Sequence, residues 1–180
     1  NKIVTTGGGG VIVTDDDELG RRAKHLTTTA KLPHKWEFEH DEVGWNYRMP
    51  NLNAALGMAQ LEKLPRFLDD KRALANRYAD AFRDIDGVTF LTEPAGTTAN
   101  YWLCAIRLDE PSLAARDALM STAHESGLLV RPMWNLLHQQ RPYRDAAAEA
   151  TPVAEALHAS IIEMADAWDT PQQAEVVGRI

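Results

Sequence analysis

The chain has 180 residues, 44% apolar and 25% charged, the proportions of a globular protein with room for one ordinary domain. With 19 Lys and Arg against 26 Asp and Glu, its formal net charge is −7, which gives nucleic acid no general electrostatic reason to bind. One cysteine, Cys104, excludes an intrachain disulfide framework and a multi-cysteine zinc site and suits a reducing cytoplasm, and no apolar run approaches the roughly 20 residues that cross a bilayer.

The sequence opens Asn1-Lys2-Ile3 without an initiator Met, which reads as a piece of a longer protein. The β-branched runs at residues 2–6 and 11–14, with Gly7 to Gly10 between them, predict a strand buried on both faces of an α/β sheet. The acidic residues 15–18 suit the positive end of a helix running to about Leu26. Residues 27–44 lose all periodicity and read as a long irregular excursion, of the kind that is functional or reaches a partner. Pro50 and Asn51 open a helix whose apolar face includes Leu52, Leu56, Met58 and Leu61, and Pro65 punctuates it. A second helix then carries Phe67, Leu74, Tyr78, Phe82 and Ile85 at helical spacing, with Gly87 as its stop and Asp69–Arg72 and Asp80–Arg83 as i,i+3 pairs.

Residues 93–100 (EPAGTTAN) form a turn-rich break before a strand at 101–108. Ser112 caps a helix that Gly127 ends, residues 128–130 make a short strand, and Thr151-Pro152 begins a last helix. The stripe of that helix is Val153, Leu157, Ile161, Met164 and Trp168. The order describes a fragment of a sheet layer followed by a small α+β domain, with the boundary near Pro65.

The chemistry-bearing residues leave alternatives open. The glycine run is no phosphate loop, because no Gly-Lys-Ser/Thr follows it, and Ile12 stands where the third glycine of a dinucleotide fingerprint belongs. A tight turn or close backbone packing is the plainer role. Lys2 reads as a solvated surface amine or, beside an apolar strand, as a desolvated amine able to form a Schiff base. Asn46 could cap a helix or hold an anionic oxygen, and Arg48 could be a surface charge or a phosphate clamp. Trp134 could be core or pocket wall, and His138 surface or site. The six histidines show no i,i+4 pair and no HExxH, so no metal site is expected, and Cys104 reads as packing.

Taken together, four segments resemble one family. Residues 1–14 (NKIVTTGGGGVIVT) are similar to the lysine-strand motif of the DegT-type sugar aminotransferases, and residues 44–55 (GWNYRMPNLNAA) to their second signature. Residues 100–103 (NYWL) and 131–138 (RPMWNLLH) match their small-domain segments. The glycine run and residues 26–31 (LTTTAK) most resemble the branch linked to legionaminic-acid-type sugars. The resemblance covers residues 1–158; beyond that, 159–180 depart from the family pattern.

This resemblance implies an α/β protein, the carboxy-terminal part of a pyridoxal-phosphate-dependent type I aminotransferase fold. Residues 1–64 would be the remnant of the large cofactor-binding domain with a dimer-interface loop, and 65–180 the small α+β domain. Lys2 would hold pyridoxal phosphate covalently and shuttle the proton. Asn46 would reach the cofactor phosphate of a neighbouring subunit, Arg48 would meet the phosphate or nucleotide region of the substrate, and Trp134 and His138 would line the sugar pocket. The implied reaction gives a 4-amino sugar from a nucleotide-linked 4-keto-6-deoxy sugar, with glutamate as donor, in surface-polysaccharide or nonulosonic-acid biosynthesis. The implied assembly is a cytoplasmic homodimer with shared active sites and neither nucleic-acid nor membrane partners. The chain by itself is expected to lack turnover, because the family's pyridinium-pairing Asp lies before the lysine. The rival reading is a catalytically inactive, truncated interaction or dimerisation module.

Overall fold

The computed structural model describes residues 2–164, which fall into two compact units, one within residues 1–66 and one from residue 67 onward. In the first unit, α1 (Asp17–Thr27) begins where the acidic cluster predicts. The Asp16 carboxylate accepts hydrogen bonds from the Glu18 and Leu19 amides at 2.8 and 3.0 Å. Asp17 and Glu18 in the first turn, with Lys24 and His25 in the last, complement the helix dipole.

The strand expected at residues 2–14 does not form. A strand needs a ladder partner, and none of the described strands lies in this unit; Val13 is 89% exposed, with Val11 and Ile12 exposed beside it. Residues 5–8 rest instead on the start of α2 (Asn51–Phe82). Asn53 Nδ2 donates to the Thr6 carbonyl at 2.6 Å, and the Thr5 amide donates to Gln60 Oε1 at 3.3 Å. Gly9 adopts φ 118°, and a Cβ there would come within 2.8 Å of Met49 Cε.

Helix α2 is one helix of 32 residues, not two, and runs through Pro65. Proline forfeits one ladder bond and strains the preceding turn, at about 3 kcal/mol. The Leu, Glu, Lys, Arg and Ala residues on either side are strong helix formers, and each extends the ladder once it is nucleated. Its early apolar residues are not buried: Leu52 is 86% exposed, and Leu56, Met58 and Leu61 are exposed too.

In the second unit, the last turns of α2 bury Ala75, Tyr78 and Phe82 at the expected spacing, while Ile85 falls beyond the helix end. Arg83 pairs with Asp80 as expected, but Arg72 turns away from Asp69 and forks onto Glu93 at 2.8 and 3.1 Å. Among the described residues four strands follow, β1 (Val88–Phe90), β2 (Cys104–Leu108), β3 (Arg131–Pro132) and β4 (Ile161–Met164), in the order β1-β2-β4-β3 with every pair antiparallel. Helix α3 (Leu113–Glu125) starts at its Ser112 cap, and Gly127 turns the chain at φ 81°. Since β2 and β3 each run antiparallel to β4, they are parallel to one another, and β2-α3-β3 is a split βαβ unit closed by β4.

Three boundaries move. The strand expected from 101 begins at Cys104, because Tyr101 takes φ 45° outside the extended region. The strand expected at 128–130 sits at Arg131–Pro132, leaving Leu128 and Val130 to fill the core without a ladder. The last helix stops as α4 (Pro152–His158), and Ile161–Met164 becomes the buried strand β4 between two neighbours. A short apolar run fits either period, and two consecutive isoleucines covered on both faces favour the strand. Trp168 lies outside the described residues. The core packs Tyr78 against Phe90 (centroids 6.3 Å apart) with Cys104, Ile106 and Ile162, beside an apolar cavity of about 100 Å³.

Candidate active site

Lys2, Asn46 and Arg48 lie in the first unit, and Trp134 and His138 in the second. Lys2 is exposed and leads directly into the glycine segment pinned on α2. Asn46 is exposed and its backbone bridges Thr28; α2 starts only at Asn51, so Asn46 caps no helix. Arg48 is exposed two residues further on and makes no ion pair among the described residues.

Residues 28–46 are held by a compact set of bonds. The Trp45 amide donates to Leu26 O at 2.7 Å, Thr29 N to Trp45 O at 3.0 Å and Tyr47 N to Thr27 O at 2.9 Å. Thr29 and Ala30 take left-handed φ values of 67° and 49°. The conformation is fixed because Ala30 is fully buried, its amide donates to His25 O at 2.9 Å, and His40 Nδ1 donates to Thr29 O at 2.7 Å. Gly44 passes so close that a Cβ would lie 2.5 Å from Ala30 N, so only glycine fits. Asn46 is flanked in sequence by Trp45 and Tyr47, whose rings stack with centroids 6.4 Å apart.

The far end of the excursion is stapled to α1. Arg22 forks onto Glu42, and His25 Nε2 donates to Asp41 Oδ1 at 2.7 Å. Ligand atoms of His25, Asp41 and Glu42 converge within 4.8 Å, but the Arg22 guanidinium faces both Glu42 oxygens and makes the group an ion-pair staple. The bond from His25 holds Asp41 below its ordinary 3.8, and Arg22 holds Glu42 below 4.5. Depressed carboxyl pKa values mean that the stabilisation is full above those ordinary values and is lost as the pH falls through the lowered folded ones. Hydrogen exchange at the Ala30 and Trp45 amides, corrected for intrinsic rate, is therefore expected to speed up as the pH falls below about 4.5. Protection unchanged below that pH would contradict the staple.

In the second unit, Trp134 follows β3 and is 60% exposed, and His138 sits half-buried in the 3-10 turn Leu137–Gln139. The sequence motifs did not single out one neighbour of this segment, Glu163. Glu163 of β4, with a side chain only 4% exposed, stands opposite Arg131 in the ladder and accepts a 2.6 Å bond from Arg131 Nε. The Arg131 guanidinium also lies 5.8 Å from the Trp134 ring centroid. The available signal was a lone Glu inside the apolar run Ile161-Ile162-Glu163-Met164, where an unpaired carboxylate would be costly.

The model of the DegT/DnrJ/EryC1/StrS aminotransferase family matches residues 1–180. EpsN of Bacillus subtilis (strain 168), a candidate pyridoxal phosphate-dependent aminotransferase, is 38% identical over 140 residues, which are 78% of this chain and 35% of EpsN. The GDP-perosamine synthase of Caulobacter vibrioides is 31% identical over 157 residues, 87% of this chain and 42% of that enzyme. Among solved structures, Helicobacter pylori PseC, an aminotransferase of pseudoaminic acid biosynthesis, superposes with a TM-score of 0.86 at 23% identity, over 98% of this chain and 48% of its own. The chain thus spans less than half the length of each.

Proposed function

The chain belongs to the DegT/DnrJ/EryC1/StrS aminotransferase family, and from that premise we propose that it is the carboxy-terminal part of a pyridoxal-phosphate-dependent nucleotide-sugar aminotransferase. The reaction would convert a nucleotide-linked 4-keto-6-deoxy sugar to its 4-amino sugar, with glutamate as donor, on the way to a surface polysaccharide or a nonulosonic acid. The observation that carries this reading is Lys2 exposed at the head of a glycine segment fastened to α2 through Asn53. Residues 1–64 would belong to the cofactor-binding domain and 65–180 to the small domain, in a cytoplasmic homodimer.

The residues present fit the cofactor's functional groups. Pyridoxal phosphate offers an aldehyde and a phosphate; Lys2 offers an exposed primary amine and Asn46 an exposed carboxamide. When bound, the cofactor supplies the electron sink. Lys2 Nζ would hold the aldehyde covalently and, once displaced by the donor, carry the proton as general base and acid. Asn46 would donate its NH2 to the phosphate held by a neighbouring subunit. Arg48 would face substrate phosphate, where its planar fork suits oxygen pairs. Trp134 and His138 would wall the sugar and exclude water.

The test incubates the protein carrying this chain with pyridoxal phosphate, glutamate and 4-keto-6-deoxy sugar nucleotides, and follows 2-oxoglutarate and the amino sugar. Transfer is expected in the protein and not in the 180-residue chain alone, since catalysis requires the cofactor to be held in reacting geometry. A protein that binds the cofactor yet aminates none of these sugars would overturn the reading. The exposed row of Leu52, Leu56, Met58 and Leu61 favours one second reading, a non-catalytic interaction module. That reading gains if such a protein self-associates in sedimentation but never captures the cofactor.

A further inference from the structure

We propose that Arg131, braced by Glu163 and walled by Trp134, is an oxyanion seat that takes a phosphate or carboxylate of a ligand on its outer guanidinium edge. The inference rests on the aminotransferase reading for the ligand's source, namely the diphosphate of a sugar nucleotide or the carboxylate of an amino donor.

Glu163 sits in an inner strand with its side chain 4% exposed, and a carboxylate so placed is costly unless paired. Its partner is fixed by register: Arg131 lies directly across the ladder, and Nε donates to Glu163 Oε2 at 2.6 Å. That bond uses only the inner nitrogen of the guanidinium. Half of the Arg131 side chain, 51%, stays in solvent, and its two Nη atoms hydrogen-bond to none of the described residues.

If neutralising Glu163 were the whole role, a lysine would serve. Arginine is planar and rigid, so a bond at Nε sets the direction in which both Nη donors point. Trp134 supplies a second constraint. Its ring centroid lies 5.8 Å from the guanidinium carbon, and the indole remains 60% exposed, so it attracts the cation and offers a ligand an apolar wall. A cation fixed on two sides with two donors turned outward loses little freedom on binding, and end-on capture of an oxygen pair is what this geometry does best.

The test is calorimetric titration of the protein with two probes, inorganic pyrophosphate and L-glutamate, with circular dichroism as the check on folding. Binding of at least one probe is expected, pyrophosphate identifying the diphosphate source and glutamate the carboxylate source. Arg131→Gln is expected to weaken that probe by about 10- to 100-fold, the scale of charged hydrogen bonds. Arg131→Lys keeps the charge beside Glu163, so it covers the case in which the glutamine variant does not fold, and it too is expected to lose at least about tenfold. Arg144→Gln, an exposed change of the same charge elsewhere, is expected to bind as the parent does. Binding of neither probe, parental affinity in Arg131→Lys, or an equal loss in Arg144→Gln would overturn the seat. Failure of sugar amination with Arg131-dependent binding intact removes the aminotransferase reading and leaves the seat; the converse result removes only the seat.

Discussion

Lys2→Ala is expected to abolish covalent capture of pyridoxal phosphate and to lower aminotransfer by at least about 10³-fold, because in the proposed function one residue would both attach the cofactor and move the proton. No substitute among the fixed groups of the first unit offers a primary amine at the head of the glycine segment. Lys2 is exposed, so its truncation, including the loss of a surface contact, is expected to change stability by no more than about 1 kcal/mol. Loss of capture with an unchanged melting temperature therefore separates a chemical role from a structural one. Lys2→Arg sharpens the result, since arginine keeps the positive charge but forms no imine with the aldehyde under the same conditions. Retained capture in either variant would move the attachment to another lysine.

The second large effect concerns stability. Ile162→Ala is expected to cost about 3–5 kcal/mol, the upper part of the range for truncating a buried isoleucine. Ile162 is 1% exposed, pairs with Ile106 and Pro132 across both neighbouring strands, and already borders the cavity of about 100 Å³. Truncation would enlarge a void in a strand tied on both sides, where little can relax inward. Against a typical stability of about 5–15 kcal/mol, that loss should move the urea midpoint of this unit far down. A loss below about 1 kcal/mol would mean that β4 is not the centre of the sheet.

The helices were legible wherever a cap or a spacing spoke locally. The acidic run 15–18 and the Ser112 cap marked two starts, and Tyr78 and Phe82 marked the buried stripe. Pro65 misled because a proline's local penalty does not outweigh a long run of helix formers. The strands were harder, since a strand is defined by a neighbour distant in sequence. Val11 to Val13 have strand composition but no ladder partner among the described residues, whereas Ile161 to Met164 gained two partners and left the helical pattern. In the candidate site, motif resemblance reached Lys2, Asn46, Arg48, Trp134 and His138. It did not reach Glu163, whose meaning depends on register opposite Arg131. Nor did spacing announce the fork between Arg22 and Glu42, which is set by how the excursion folds back on α1.

The most direct measurement is the site of covalent capture. The protein is incubated with pyridoxal phosphate, reduced with borohydride and digested, and the phosphopyridoxyl group is mapped by mass spectrometry across Lys2, Lys24, Lys31, Lys35, Lys63 and Lys71. The aminotransferase account predicts label concentrated on Lys2 and released when glutamate is added before reduction. Label spread over the exposed lysines, or label on Lys2 that glutamate leaves unchanged, would contradict it.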